Sequence, residues 1–596
     1  MSSGELRIDS SSRSAFVFTN DSYLYDVGAV PVLGDILTSK REWDLPSRRT
    51  SSASELNRAF TRRHAKIGGA LRDSEPPARL VSIAYAGLAL HSAVAGFCNA
   101  FLRFGYRPLL VAYLTLHHRD QFASARYLLE WPAVLAVFVG IVSDMTPLFG
   151  YRRKSYMALG WLVVLLASVG IVVTTLLSPT KFTLFADPTK RGDAVATYTL
   201  ESNPIEFATL FVTFGVLISV GLEVAWVVSL AMTVELAQCE PLLTRGRLQA
   251  EYFLIYYAAA AFAQLVVSRV IFLSDDADEP LRSAITMGEA GVMLCAGSAL
   301  AFPTVIFTLK DKRAGAGATE YASDTDGDSD DAPAAPTFWA RVRDLLRFCQ
   351  EEVVYRVVLF VCGLVLTLGF YNQNVRDAEA QWSGVTASRQ NDIQIGQSAC
   401  VVLGIALWRA FLVNVSWQKL VLFGVSFHVG CSALVTVPTA FAWIRDEWYF
   451  LVLVSLQGVP KGWFKLFAVV PATEITDVGR EGATVGLVLS FQWLVYIAAG
   501  TFSAMISHVI GTDVTAAQVD ADATATRHST VVAAAVYNLI NLLALALAPL
   551  VPVQKLEAQQ MLAASRRNSR MGFVIGAAFV LLLIFDLVAN IVVMQS

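Results

Sequence analysis

Thirteen stretches of about twenty mostly apolar residues follow one another along this chain, and stretches of that length leave very few folds open. A hydrocarbon core about 30 Å thick is crossed by about 20 residues of helix, in which every backbone N–H and C=O is satisfied within the segment. The runs lie near 80–102, 123–143, 156–177, 206–230, 250–273 and 284–309, then near 354–371, 394–412, 418–440, 447–470, 483–508 and 529–552. A last run occupies 571–594. The piece 107–116 is too short to span and is assigned to the outer end of the first hairpin. The expected fold class is all-α: a polytopic membrane protein of two six-helix bundles with an extra C-terminal hydrophobic helix.

Composition agrees. Of 596 residues 55% are hydrophobic and only 16% charged, against about 25% charged in an ordinary soluble domain. A formal net charge of −3 carries no polyanion footprint, so nucleic acid is not an expected partner. The seven cysteines form no CxxC pair, so neither a zinc site nor a disulfide framework is expected, and no cofactor or metal is called for. No HExxH, GxSxG or phosphate-binding loop is present. The chain therefore does not read as an enzyme, and direct drive by ATP is not expected.

Polar stretches divide the chain. Residues 1–79 read as a disordered cytosolic tail with no apolar signal core, so no cleavable secretory signal is expected. Its Arg48-Arg49-Thr50-Ser51 patch suits either a basophilic kinase or an unregulated solvated tail. Residues 80–310 form the first bundle, 311–352 a cytosolic linker with an acidic tract at Asp324–Asp331, and 353–553 the second bundle. Residues 554–596 form a basic loop and the extra helix, whose crossing of the membrane stays open. Basic loops at Arg152-Arg153-Lys154, Arg245 with Arg247, Arg341–Arg347 and Arg566-Arg567 share one side if the N-terminus is cytosolic. The protein is then multi-pass, in the plasma membrane or an endomembrane.

After the second run come Gly140-Ile141-Val142-Ser143-Asp144 and Pro147-Leu148-Phe149-Gly150-Tyr151-Arg152-Arg153-Lys154. A glycine lets helices approach, an aspartate ends the helix, and a basic cluster follows. Asp144 can pair with basic groups or a helix N-terminus of the other bundle in one conformation only, a charge latch with Arg152 and Arg153 beside it. The halves echo each other: Glu235 precedes Arg245-Gly246-Arg247, as Glu474 precedes Arg480-Glu481-Gly482.

On Asp144–Met157 (DMTPLFGYRRKSYM), Thr233–Pro241 (TVELAQCEP) and Gly482–Leu489 (GATVGLVL), the chain resembles the folate–biopterin transporter family, a branch of the major facilitator superfamily. Phe411–Lys419 and Trp443–Phe450 resemble its divergent members in water moulds. The resemblance implies a major-facilitator-like fold and transport of a small solute. The chain departs from the family at Ala136, where the family has lysine, and at Trp226 and Leu230, where it has aspartates. The solute therefore stays open.

An ionisable group at helix centre costs about 2.5–3.5 kcal/mol on the insertion scale, so each needs a reason. Lys461, flanked by Pro460 and Gly462, falls mid-span, with Lys465 one turn on. The proline and glycine predict a helix locally broken around a cavity, and Lys461 reads as a substrate-binding cation. Glu223 shares a stripe with Trp226 and Leu230; it is a substitute for the missing aspartates or half of a structural pair. Trp226 either stacks on a flat ring or packs. His91 is a proton relay or a packing histidine, and His428, in a peripheral span, receives no role. Arg126 and Glu130 are expected to satisfy each other.

These residues point to a secondary active transporter of a small organic solute, pterin- or folate-like or another organic anion, working by alternating access with protons as the coupling ion. The alternative is a transporter-like receptor or scaffold that moves nothing.

Overall fold

The computed structural model describes residues 70–72, 78–80, 82–110, 114, 129–178, 205–273, 282–283, 285–311, 337–385, 387–510, 516–564 and 566–595. The Arg48–Ser51 patch, the acidic tract of the linker and Arg126 lie outside the described residues.

Eleven helices among the described residues are long and apolar enough to cross a membrane. Numbered with the two shorter ones, the spans are 1 (Ile83–Leu110), 2 (Trp131–Met145), 3 (Lys154–Leu177), 4 (Phe207–Ala237), 5 (Arg247–Val270) and 6 (Met287–Thr308). The second set is 7 (Glu352–Gly369), 8 (Asp392–Leu412), 9 (Trp417–Ala440), 11 (Glu481–Ser503) and 12 (Thr524–Leu550), with 13 (Ser569–Ala589) after them. Span 13 is long enough to cross, and it packs on span 11.

Span 10 is three short helices, Glu447–Leu456, Gly458–Leu466 and Val470–Ile475. The predicted break is present, displaced to Gln457 and to Phe467–Val469 rather than centred on Lys461. The reason is the missing donor of proline: Pro460 cannot bond the carbonyl of Leu456, nor Pro471 that of Phe467.

Within the first half, span 1 packs on 5 and span 3 on 4 and 6; within the second, span 8 packs on 10, 9 on 12 and 7 on 11. Lipid gives helices no hydrophobic reason to associate, so small residues that allow backbone contact decide the pairings. A Cβ on Gly221 would lie 2.6 Å from the carbonyl oxygen of Gly160, so spans 3 and 4 need both glycines. The halves meet along span 2 with 11 and span 5 with 8, a pairing that exchanges with itself when each span is advanced by six. At the 2–11 seam, a Cβ on Gly482 would stand 2.6 Å from the Gly140 oxygen. The halves repeat a left-handed glycine in the turns before spans 5 and 11, Gly246 at φ +96° and Gly479 at φ +87°; in the second half this is not the Gly482 of the sequence echo, which lies inside span 11.

Besides the five-residue helix Ala516–Asp520, three non-spanning helices are present among the described residues. Phe338–Phe348 and Lys555–Ala563 lie at the end that bears the 2–3, 4–5 and 10–11 turns, and Gln373–Trp382 lies between spans 7 and 8. Apolar runs of spanning length cannot reveal them, since they are only 9–11 residues long.

Orientation is a proposal from the basic loops. Tags at the N-terminus and within 311–340 should both resist external protease in intact cells; cleavage of both would reverse the assignment.

Candidate functional site

A cavity of about 750 Å³ lies between the halves. At one end it reaches exposed Tyr371, Gln373 and Asp377; at its inner end it stops against Phe467, Ala468 and Leu489. Beyond that floor, the 2–3, 4–5 and 10–11 turns are laced to the opposite half.

Arg153 is the centre of that lacing, and its side chain is fully buried. Its Nη2 stands 2.7 Å from Asp144 Oδ1, 2.6 Å from Glu235 Oε1 and 3.1 Å from Glu481 Oε2, and its Nη1 donates to Ser143 Oγ at 2.9 Å. Burial alone would lower the pKa of this guanidinium; the carboxylates of Glu235, Asp144 and Glu481 prevail and raise it. Asp144 also caps span 11 of the other half, accepting from Gly482 N at 3.1 Å and Ala483 N at 2.7 Å. A carboxylate there meets the open N–H groups and positive end of the helix dipole. Arg72 pairs with Glu481 as well. Arg152 makes no ion pair among the described residues; of the two arginines singled out, Arg153 makes the contacts.

A second lock is built from the 4–5 turn. Arg245 Nη1 donates to Glu474 Oε2 at 2.6 Å, both side chains 1% exposed, and Gln559 Nε2 donates to the same oxygen at 2.6 Å. Gln238 Nε2 donates to the carbonyls of Thr473 (3.2 Å) and Thr476 (2.9 Å). Lys555 extends the lock, donating from Nζ to Leu242 O at 3.2 Å and Asn414 Oδ1 at 3.1 Å, with burial lowering its pKa to about 7. In the sequence, Glu235, Arg245, Glu474 and Glu481 stand out as an echo between the halves, and Arg245 also as part of a basic loop. Their repetition at helix exits was the available signal, and their partners could not be read without the fold.

Asp144→Asn would turn an amide donor toward donor N–H groups at the head of span 11. The expected result is solute uptake slowed several-fold with folding and ligand binding retained, read from initial rates normalised to surface protein. Unchanged rates would argue against a gating role.

The cavity wall is cationic. Arg103, Arg376, Lys461 and Lys465 line it, against Asp377 and Glu379. Among the described residues neither lysine has a carboxylate within ion-pair distance, whereas Arg376 is 3.6 Å from Glu379. Lys465 opens on the cavity rather than on an interface. Trp226 belongs to the wall and packs its ring 4.3 Å, centroid to centroid, from that of Tyr256.

The other singled-out residues stand back from it. Glu223 lies behind the wall, with Oε1 lacking a hydrogen-bond partner. His91 is fully buried between spans 1, 3 and 5; its Nδ1 accepts from Trp161 Nε1 at 2.9 Å, and it stacks with Tyr252. Glu130 pairs with Arg107 at 2.8 Å. His428, given no role from sequence, lines the cavity.

Residues 95–186 match the model of the BT1 family. That segment contains the Asp144–Met157 block, and the resemblance to folate–biopterin transporters read there is borne out. A search of curated proteins finds no match. Among solved structures, a proton:xylose symporter of the major facilitator superfamily, bound to 6-bromo-6-deoxy-D-glucose, is similar at 13% identity and TM-score 0.49, over 78% of this chain and 93% of that one. The chain is a multi-pass membrane protein, part of which matches the model of a transporter family.

Proposed function

We propose that the protein is a secondary active transporter that moves a small organic anion across its membrane by alternating access, with protons as the coupling ion. The observation that carries this reading is the pairing of one cavity, open at one end and lined by four cations, two of them lysines without an ion pair among the described residues, with a charged gate closed across both halves at the other. With the N-terminus cytosolic, this is the outward-facing state. Inward opening then requires Asp144 to leave the head of span 11 and Arg245 to leave Glu474. A receptor that transports nothing would have no need of a gate that links four helix ends.

The substrate class follows from charge. Lysines without an ion pair among the described residues favour an anionic occupant, and the Trp226–Tyr256 wall favours one that carries a flat ring. Glu223 supports the proton role: it is a carboxylate within span 4, one turn from wall residue Trp226, with an oxygen that no group satisfies.

The test is uptake of radiolabelled pterin and benzoate-class anions into proteoliposomes under an imposed pH gradient. Accumulation that follows the gradient is expected; binding without accumulation would favour the receptor reading. Glu223→Gln should flatten the pH dependence of net uptake and spare exchange, because an amide hydrogen-bonds but does not cycle a proton. Unaltered pH dependence in a folded variant would remove Glu223 from the coupling path.

A further inference from the structure

One corner of the cavity holds several buried polar groups that make no hydrogen bond among the described residues. It lies within the second half, where the helix Gln373–Trp382 meets span 9 and the first break of span 10. Gln457, the residue at that break, is 2% exposed, yet its Nε2 has no hydrogen-bond partner. Arg376 Nη1 is buried and likewise makes no hydrogen bond, although the opposite arm of the guanidinium reaches Gln457 Oε1 at 3.4 Å. His428 Nδ1 is buried without a partner on the facing span 9. Lys461, one helical turn beyond Gln457 and so on the same face, brings an ammonium to the same wall. An unmade hydrogen bond on a buried polar group is destabilising, and orphaned groups of this kind are rare singly. Three of them beside an unpaired lysine, all lining one cavity, describe a ligand position.

We propose that Arg376, Gln457 and Lys461, with His428 facing them, form an oxyanion subsite that takes a carboxylate group of the transported solute. A planar carboxylate offers about four acceptor positions to these converging donors. The subsite rests on the reading of the cavity as a solute site and deepens it, since it fixes which group of the solute is recognised and where.

The rest of the corner positions Arg376 rather than touching the ligand. Glu379, 3% exposed and one helical turn along, stands 3.6 Å from Arg376 Nη1 and accepts from Thr436 Oγ1. The Phe450 ring lies under the guanidinium, with its centroid 5.9 Å from Cζ. Glu379 thus balances part of the positive charge while the site is empty. The two exposed mouth residues, Gln373 and Asp377, lie on the same helix as Arg376, so the subsite is reached from the open end of the cavity.

The test does not require transport. Reductive methylation of Lys461 in the purified full-length protein is followed by mass spectrometry, in benzoate or in isosteric, neutral benzamide, at constant ionic strength. Lys465, in the same cavity, is the internal control. Benzoate at twice its Kd should slow Lys461 modification roughly threefold, since protection scales as 1 + [L]/Kd. Benzamide should leave it unchanged, and Arg376→Gln and Gln457→Leu should each abolish the protection. Equal protection by benzamide, no protection by benzoate, or equal protection of Lys465 would overturn the subsite. The comparison of benzoate with benzamide needs no variant, so misfolding of either mutant does not spoil it. Protection in a protein that accumulates nothing would sink the transport reading and keep the subsite; transport without protection would do the reverse.

Discussion

Arg153→Met should be the most damaging single substitution in the gate. The residue is fully buried, and removing it takes the shared cation from Asp144, Glu235 and Glu481, of which Asp144 and Glu481 are nearly as deeply buried. Breaking a buried ion pair by deleting one partner costs about 3–5 kcal/mol. The expected outcome is a clear fall in melting temperature in detergent, poor surface expression, and uptake lost in whatever protein reaches the membrane. Arg153→Lys should rescue little, because an ammonium cannot reproduce a planar fork that contacts four side chains at once. Adding Glu481→Gln to Arg153→Met should recover part of the stability, since it removes one stranded charge. A single Arg153→Met variant as stable and active as the parent would show that the network is ornamental.

Lys461→Gln is the corresponding test of the cavity. The lysine has no carboxylate partner among the described residues, so the substitution disturbs no internal pair and should leave the fold intact. Loss of a charge-assisted contact to an anion should cost about 1.5–3 kcal/mol, roughly tenfold or more in affinity. The loss should fall on anionic substrates and spare neutral analogues of the same shape, which separates recognition of charge from a general defect. Direct binding to purified protein, compared with initial uptake rates, reads both. A folded variant that carries anions as well as the parent would assign Lys461 a structural role and remove the cation from the proposed site.

The two substitutions also show how unevenly the site was visible beforehand. Lys461 announced itself, because a lysine in the middle of an apolar run is costly wherever the run sits. Asp144 and Arg153 were visible through their spacing after the second run. Arg376 and Gln457 were not. Arg376 belongs to a short polar helix between spans that looks like any loop, and a glutamine next to a glycine carries no sign of being left without a partner. Of the two histidines in the spans, His91 is sealed behind the cavity against Trp161, whereas His428, which received no role, opens on it. Which face of a helix meets a cavity depends on the packing of its neighbours, and an almost uniformly apolar helix gives no face to read.

What the sequence determined by itself was the solvent and the element type: runs of spanning length must be helices in a bilayer, because lipid satisfies no backbone group. It also determined where helices end, through Gly246, Gly479 and the charged residues at the exits of spans 2, 4 and 10, since those choices are local in the chain. Only the tertiary structure decided which charges meet. Asp144 lies 338 residues from the Gly482 amide it caps, and Arg245 lies 229 from Glu474. Partners at such separations are selected by the approach of helices through small residues such as Gly140 and Gly482, a three-dimensional condition that no local pattern of hydrophobicity or charge encodes.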